Sequence, residues 1–380
     1  MTKGLAVLVV VGSALVVEPA FAIPAFARRY KVECHFCHEG FPKLNGVGQR
    51  FKERGLRMER EDDFDATKWV SSLPATIRGE YNHGFQESGD GSNFGYLKGI
   101  SAGNLGKRFS YWVDDAVLIQ EGDDSFVHIK PDNAWLRVQV AHGNRLYAKG
   151  GRLELDIPFT LARAPHLFGY EIYFANTGAE TDGIAAHHEG VELGGDAGEH
   201  GHWSAALVGA RHSEQSKQLS SDVGGFDPAG FLRYAQRIGG HRVGGFAYLG
   251  RNTLALVRGT PFKDDLLRLG VDADVWIDRL NLYGLYMYGR NSNSTGTNTS
   301  ATFSGGFAQA DLHLLEPLAL TLRLNVVNKP TSSLASKDTF SSLFPGIQVF
   351  IFEHGKLSFE YGFLNKERKS FGAIQAEFAF

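Results

Sequence analysis

The sequence predicts an all-β membrane barrel of about sixteen antiparallel strands, preceded by a small α-helical domain at the N-terminus. Three observations support this fold class: segments of about ten residues alternate in polarity, connections alternate between short and long, and the composition favours β-structure. The 380 residues include 46 Gly, 28 Phe and 13 Tyr, which suits a barrel with many turns and aromatic girdles. The formal net charge is -3, so no nucleic-acid partner is expected.

Residues 1–22 have the features of a secretory signal peptide. Lys3 supplies a short positive region, Leu5–Val17 forms an apolar core, and Ala20-Phe21-Ala22 is a small-x-small cleavage site. The mature chain is therefore expected to begin at Ile23. The apolar core is shorter than the roughly 20 residues that span a bilayer, which disfavours the alternative of an uncleaved anchor.

The segment Cys34-His35-Phe36-Cys37-His38 is a C-x-x-C-H motif, the attachment signature of a c-type haem. Two thiols three positions apart can add to the two vinyl groups of one porphyrin, which places His38 under the iron as proximal axial ligand. One covalently bound haem c is therefore expected. The alternatives are a redox-active disulfide, for which no βαβ pattern is visible, and a zinc site, for which no further cysteines exist.

A short amphipathic helix is predicted after the motif, with Pro42 as a first helical residue and Gly55 as a stop. Apolar or small residues recur at i, i+3, i+4 and i+7 and are expected to face the haem: Leu44, Val47, Gly48 and Phe51. Polar residues are expected to lie outside: Gln49, Arg50, Lys52, Glu53 and Arg54.

Met58 is the candidate distal axial ligand. It lies just past the predicted helix and is the only methionine between the signal peptide and Met287. A His/Met pair would raise the haem potential. The alternatives are His83, another histidine of the barrel, or an open coordination position.

The remaining chain divides into an acid-rich linker at 59–74 and a barrel at 75–380, after the haem domain at 23–58. Within 267–277 every odd-numbered residue is apolar, whereas Arg268, Asp272 and Asp274 occupy the other face. The segments 318–326 and 357–363 alternate in the same way. Period-two alternation directs one set of side chains towards lipid and the other towards a polar lumen.

The connections between these segments alternate in length. Short turns are predicted at Gly106-Lys107, His142-Gly143-Asn144, Gly239-Gly240, Asp278-Arg279, Glu316-Pro317 and His354-Gly355. Longer polar loops are predicted at Asn291–Ser300 and Pro330–Ser342, and Ile157–Ala186 is interpreted as a long loop that folds into the lumen. The pattern is typical of short periplasmic turns and longer outer loops, with both barrel ends in the periplasm.

The first 60 residues resemble a known family. The run Ile23–Tyr30, the C-x-x-C-H motif, Phe41–Asn45, and then Gly48, Phe51-Lys52 and Gly55 resemble the head of the fused monohaem cytochrome–porins. Beyond that head the resemblance is architectural, a barrel of similar length that ends in Phe378-Ala379-Phe380, like an outer-membrane assembly signal. The best-known members are outer-membrane iron oxidases of iron-oxidising bacteria.

The resemblance implies a Gram-negative outer-membrane location and an Fe(II) oxidoreductase activity. In this interpretation Cys34 and Cys37 attach the haem and His38 ligates it. Extracellular Fe(II) is the electron donor, a periplasmic c-type cytochrome or similar carrier is the acceptor, and outer-membrane lipid surrounds the barrel. Two groups of polar residues are candidates for a specific iron site: His187, His188, Glu189 and Glu192, and Asp272, Asp274, Asp311 and His313.

Two other functions fit the same architecture. One is a solute-conducting porin that the haem domain plugs or gates, although lumen-facing candidates of both signs argue against strong ion selectivity. The other is outward electron transfer to an extracellular acceptor, which a low haem potential would favour.

Overall fold

The computed structural model describes residues 25–40, 42–58, 75–86, 91–121, 124–126, 131–159, 167–175, 184–209, 227–254, 261–294, 296–330, 337–352, 355–365 and 371–379. The predicted signal peptide, the predicted linker at 59–74 and the terminal Phe380 lie outside the described residues.

The described N-terminal part is mostly helical. It contains α1 (Ala25–Tyr30), a 3-10 turn at Cys34–Phe36, the short strands β1 (His38–Gly40) and β2 (Lys43–Leu44), and α2 (Gly46–Glu53).

In the described residues from 75 onwards, every element is a strand or a 3-10 turn. The strands are β3 (Ala75–Gln86), β4 (Gly91–Leu105), β5 (Phe109–Glu121), β6 (Asp124–Phe126), β7 (Asn133–Ala141), β8 (Leu146–Glu154), β9 (His187–Ala197), β10 (Gly201–Gly209), β11 (Pro228–Ile238), β12 (His241–Leu254), β13 (Phe262–Ile277), β14 (Leu280–Asn291), β15 (Ala301–Leu315), β16 (Leu318–Pro330), β17 (Lys337–Phe352), β18 (Gly355–Leu364) and β19 (Phe371–Ala379). The 3-10 turns are His142–Asn144 and Glu171–Phe174.

Strands β3 to β19 form one closed antiparallel barrel. The last strand pairs with the first, from Phe371 opposite Gln86 to Ala379 opposite Arg78. The three-residue strand β6 pairs with the end of β5, so sixteen long strands build the wall, as the sequence predicts. Closure leaves no unpaired edge, which is the only way strands satisfy their backbone polar groups in lipid.

The polarity of the wall is inverted relative to a soluble protein. In β16, Leu322 is 47% exposed on the outer surface, whereas Arg323 is 1% exposed in the interior. The predicted alternation within 267–277 and 357–363 is confirmed in the same way, with Val271 and Phe359 outside and Asp272 and Glu360 inside. Apolar side chains exposed at this density on every face require a hydrocarbon surrounding.

Short turns close one end of the barrel, and the predicted turns at Gly106, His142, Gly239, Asp278 and Glu316 are confirmed. A further short turn, 198–200, joins β9 to β10. The second half of the predicted His354-Gly355 turn is the first residue of β18, and residues 353–354 lie outside the described residues.

The predicted loop Pro330–Ser342 is wrong in its extent, because β17 already begins at Lys337. The segment contains several serines and two threonines, which usually mark loops. Inside a polar lumen, however, a serine can occupy a strand. The amide of Asn325 on β16 donates to the hydroxyl of buried Ser342 over 3.1 Å, and this pairing extends the hairpin.

The stretch Ile157–Ala186 enters the lumen, as predicted, in every part of it that the structure describes. We call residues 155–159 and 167–175 the luminal strap. Tyr170 of the strap stacks on Phe307 of the wall with ring centroids 3.7 Å apart, and Ile172 and Tyr173 are almost completely buried.

The strap makes the lumen partly apolar, which the sequence did not predict. It packs with inward-facing wall residues into one hydrophobic core, whose aromatic members are Tyr170, Tyr173, Phe231, Phe246, Tyr248, Tyr283, Phe303 and Phe307. The lumen at this level is therefore a packed interior rather than a polar channel.

The lipid-facing assignment predicts a depth-dependent cost of charge. Val271 lies in the middle of β13 and is 61% exposed, whereas Ile277 ends the same strand and is 58% exposed. We expect Val271→Arg to lower the free energy of unfolding by about 2–4 kcal/mol, and Ile277→Arg by about 0–1 kcal/mol, because charge is costly only near the bilayer midplane. Urea unfolding in lipid vesicles measures both values, and equal costs would contradict the assignment.

Candidate functional site

The described N-terminal residues, 25–40 and 42–58, form a plug in the barrel end that carries the short turns. The backbone N–H of Ala25 donates to the hydroxyl of Thr76 over 3.0 Å. The guanidinium of Arg57 donates to the carbonyls of Gly106 and Phe109 at the first short turn. The ammonium of Lys43 forms a buried ion pair with Asp311 at 2.9 Å.

Helix α2 is fixed by its caps. The side chain of Asn45 accepts hydrogen bonds from the backbone N–H groups of Val47 and Gly48, both at 2.9 Å, a standard N-cap. The prediction that Pro42 opens the helix is therefore wrong: Lys43 and Leu44 pair with β1, and the cap at Asn45 starts the helix at Gly46.

The C-terminus of α2 is a Schellman motif. The N–H of Gly55 donates to the carbonyl of Lys52, and that of Leu56 donates to the carbonyl of Phe51. Gly55 has φ +71, the left-handed conformation that glycine adopts without strain. Phe51 and Leu56 then pack together in a small core with Ala102 of the wall.

The prediction that Glu53 lies outside is wrong, because the space outside the plug is the barrel lumen. Glu53 is buried and accepts from Arg237 at 2.6 Å and from Arg242 at 3.0 Å. Burial alone would raise the pKa of Glu53, but Arg242, His202 and Arg237 together hold that pKa below its ordinary value. The carboxylate therefore stays ionised and anchors the plug to β11 and β12.

The C-x-x-C-H motif folds into a compact turn. The 3-10 turn is closed by the N–H of Cys37, which donates to the carbonyl of Cys34 over 3.1 Å. Cys34 is buried, Cys37 is half-buried, and neither forms a disulfide. Burial raises the pKa of the Cys37 thiol. A Cβ on Gly48 would collide with the Cys37 carbonyl, so α2 can pack on the motif only through a glycine.

His38 is oriented by a backbone carbonyl. Its Nδ1 lies 3.2 Å from the carbonyl oxygen of Pro42, which makes Nδ1 the donor nitrogen and leaves Nε2 as the lone-pair nitrogen. A metal-ligating histidine usually makes such a hydrogen bond through its other ring nitrogen. His38 therefore has the tautomer and fixed orientation that an axial ligand requires.

A cavity lies between the plug and the barrel wall, and we call it the plug cavity. Cys34, Cys37, His38 and Met58 all line it, so the structure brings the four predicted site residues to one space. Three of the four predicted helix-face residues, Leu44, Gly48 and Phe51, line it as well. The wall side includes Trp112, Trp135, Arg137, Tyr147 and His202.

The other predicted ligands lie elsewhere. His83 is hydrogen-bonded to the hydroxyl of Ser92 at 2.6 Å, on β3, away from the plug cavity. The residues that the structure describes contain no group of three or more His, Cys, Asp or Glu side chains that could hold a metal ion. Glu192 pairs with Lys149 and Asp272 pairs with Arg233, so the hypothesised iron site finds no support there.

His202 is a cavity residue that the sequence analysis did not single out. It is buried, its Nδ1 lies 3.4 Å from the carboxylate of Asp196, and its ring stacks on Tyr147. The alternation of β10 could have identified it, because every second residue of this strand faces the lumen: His202, Ser204, Ala206 and Val208.

The residues around the plug cavity fit a covalently attached haem. Two thiols lie on one turn, an imidazole presents Nε2, and a thioether lines the same space. The aromatic side chains of Phe26, Trp112 and Trp135 supply apolar walls.

In the part of the chain that the structure describes, no helix is long and apolar enough to cross a membrane.

Comparison with known proteins identifies the fold as that of outer-membrane porins. No protein-family model matches the sequence, and no curated protein is significantly similar to it. Solved structures match the barrel, and the fold indicates a Gram-negative outer membrane.

Two of these structures illustrate the likeness. An anion-selective porin from Comamonas acidovorans is 12% identical, with 80% of this chain and 98% of that chain covered and a TM-score of 0.60. A loop-deletion mutant of OmpT, an outer membrane protein of Vibrio cholerae, is 11% identical over 80% and 98% of the two chains, with a TM-score of 0.59. At these identities the likeness shows the fold.

The ion pairs of Glu53 predict how the plug is held. We expect Glu53→Gln to weaken docking of the plug by about 3–5 kcal/mol, because it leaves Arg237 and Arg242 buried without their carboxylate. Since the Glu53 pKa is lowered, its contribution in the wild type is complete above pH ~4.5 and is lost as pH falls further.

Docking of the plug is measured by limited proteolysis of the folded protein, as the rate at which the protease cleaves within residues 25–58. Glu33→Gln is the matched control, because Glu33 is largely exposed and its ion pair with His35 is exposed as well; it should change little. Equal cleavage of both variants at neutral pH would contradict the anchoring role of Glu53.

Proposed function

We propose that this protein transfers single electrons across the outer membrane through one haem c held in the plug cavity. The observation that carries the proposal is the C-x-x-C-H turn, whose His38 is oriented by Pro42 and faces the same cavity as Met58, inside a closed membrane barrel. A bound haem supplies one-electron redox chemistry at a potential that its axial ligands set.

The chain's own residues would do four things for that group. Cys34 and Cys37 would hold the group through thioether bonds, and His38 would ligate its iron through Nε2. Met58 would supply a thioether sulfur as the second protein ligand. The plug and the luminal strap exclude bulk water, which favours a high potential because a dry site disfavours the extra positive charge of the oxidised iron.

The position of the plug supports electron flow towards the periplasm. Short turns mark the periplasmic end of such barrels, and the plug contacts the short turn at Gly106. A site at that end lies near periplasmic carriers, which favours a periplasmic c-type cytochrome or similar carrier as acceptor. Extracellular Fe(II) is the proposed donor, because its oxidation outside leaves insoluble Fe(III) outside the cell.

A solute channel is the second candidate function. It is favoured by the fold neighbours, which include proteins described as a porin and as an outer membrane channel. Against free diffusion, the plug fills one end of the lumen, and the strap packs with Phe307 and Tyr283 into an apolar core at another level. Conduction would therefore require both the plug and the strap to move.

Proteoliposomes distinguish the two functions. We expect vesicles that contain the full-length protein and an enclosed oxidised cytochrome c to reduce that acceptor when Fe(II) is added outside at neutral pH. The same vesicles should show no swelling in sugar solutions beyond that of protein-free vesicles. Cys34→Ala/Cys37→Ala is the control, because its barrel is intact but its attachment site is lost.

Swelling without acceptor reduction would establish the channel function and overturn electron transfer. Acceptor reduction by a small quinol but not by Fe(II) would retain electron transfer and remove Fe(II) as donor.

Ligation by Met58 predicts the spectrum and potential of the site. We expect Met58→His to lower the midpoint potential and to abolish the far-red absorption band of a sulfur-ligated ferric haem, because a nitrogen ligand replaces the thioether that raises the potential. Spectroelectrochemistry measures both. Met287→Leu is the control, since Met287 is buried in the barrel core; an unchanged spectrum in Met58→His would contradict distal ligation by Met58.

A further inference from the structure

Arg137 is an arginine of the barrel wall that lies beside the plug. It belongs to β7, lines the plug cavity and is 4% exposed. Its guanidinium covers the Tyr147 ring at 3.8 Å and donates to the side-chain oxygen of Asn144. A Cβ on Gly55 would collide with the guanidinium, so the glycine that ends α2 also leaves the space that Arg137 occupies.

Among the residues that the structure describes, no carboxylate lies within 4.0 Å of the Arg137 guanidinium to form an ion pair with it. Its Nε has no hydrogen-bond partner there. The nearby carboxylates have other partners: Glu192 accepts from Lys149 and Tyr147 through Oε1, whereas its Oε2 is buried without a hydrogen bond. Asp196 accepts from Asn144 and lies near Arg54 and His202. A buried cation without an ion-pair partner is destabilising, so an anion is expected next to it.

The other long-chain cations of the plug cavity differ from Arg137 in this respect. Within the described part of the chain, each of them has an acidic partner at 4.0 Å or less: Lys52 with Asp156, Arg78 with Glu377, Lys98 with Asp132, and Lys149 with Glu192. Their charges are therefore already balanced, whereas that of Arg137 remains available to a bound molecule.

We propose that Arg137 binds a carboxylate of the group held in the plug cavity, namely a haem propionate. The proposal rests on the proposed function, because it takes haem as the occupant. A propionate supplies the missing anion, and the planar guanidinium suits a carboxylate in two-point contact. The site would then be shared: the plug attaches the haem through Cys34, Cys37 and His38, and the barrel wall balances its charge through Arg137.

A shared site affects the midpoint potential of the haem. The cation of Arg137 near the haem favours the reduced iron, which carries one positive charge fewer, and keeps the propionate ionised. Without Arg137 the pKa of the buried propionate would be higher, so the propionate would already be protonated at a higher pH than in the wild type. The charged and titratable groups around Arg137 are Tyr147, Glu192, Arg57 and Asp196, and all of them remain in the variants proposed below.

The test compares midpoint potentials of the full-length, haem-loaded protein between pH 5 and 8. We expect Arg137→Leu to lower the potential near pH 8 relative to wild type and to add a pH dependence, the potential falling as pH rises through the propionate pKa. Arg137→Lys should restore most of the wild-type profile, since it keeps the positive charge. Arg268→Leu is the matched control: Arg268 is also buried over an aromatic ring, that of Phe303 at 4.8 Å, and lies outside the plug cavity.

The haem content of each variant is read from its alkaline pyridine spectrum, and its folding from heat-modifiable migration on gels. Haem-loaded Arg137→Leu with the wild-type potential profile would overturn the role of Arg137 and leave the proposed function intact. A wild-type protein without haem would overturn both. If Arg137→Leu fails to fold, Arg137→Gln replaces it. Its midpoint potential is expected to differ from wild type in the same way as that of Arg137→Leu, and Arg137→Lys should again restore most of the wild-type profile.

Discussion

Closure of the barrel in lipid is the constraint on which the other features depend. Because no strand edge can remain unpaired in hydrocarbon, β19 must pair with β3, and the wall must turn its apolar side chains outwards. The interior becomes a separate compartment that the chain has to fill. The plug and the luminal strap fill it, and the chemistry-bearing residues lie where the plug meets the wall.

The interior is filled in two physically different ways. At the level of the strap, Tyr170, Ile172 and Phe307 pack as a soluble core would, and dispersion and burial of apolar area stabilise them. At the plug, buried charges predominate: Glu53 with Arg237 and Arg242, and Lys43 with Asp311. Such pairs fix position more than they add stability, which suits the proposed role of the plug in holding a redox group against the wall.

Local patterns allowed much of this architecture to be predicted from the sequence. Period-two alternation identifies the lipid face of β13, β16 and β18, and turn residues identify most of the short connections. The C-x-x-C-H motif and Met58 are close in the chain, so their convergence on one cavity follows from short-range structure.

Features that depend on distant residues were not predictable. In β11, buried Phe231 precedes exposed Leu232, so both faces are apolar and the alternation that would reveal a luminal core is hidden. Glu53 has the features of a solvated helix residue, because its partners Arg237 and Arg242 lie far along the chain. The lack of an ion-pair partner at Arg137 could not be predicted either, because it depends on how the plug, at Gly55, packs against the barrel wall.

The central claim is that the plug carries a covalently bound haem inside a membrane barrel. Mass spectrometry of the peptide that contains Cys34 and Cys37, from the protein purified out of outer membranes, tests this claim most directly. The account predicts a peptide that carries one haem through both sulfurs. A folded barrel whose two cysteines are unmodified, or joined to each other as a disulfide, would contradict it.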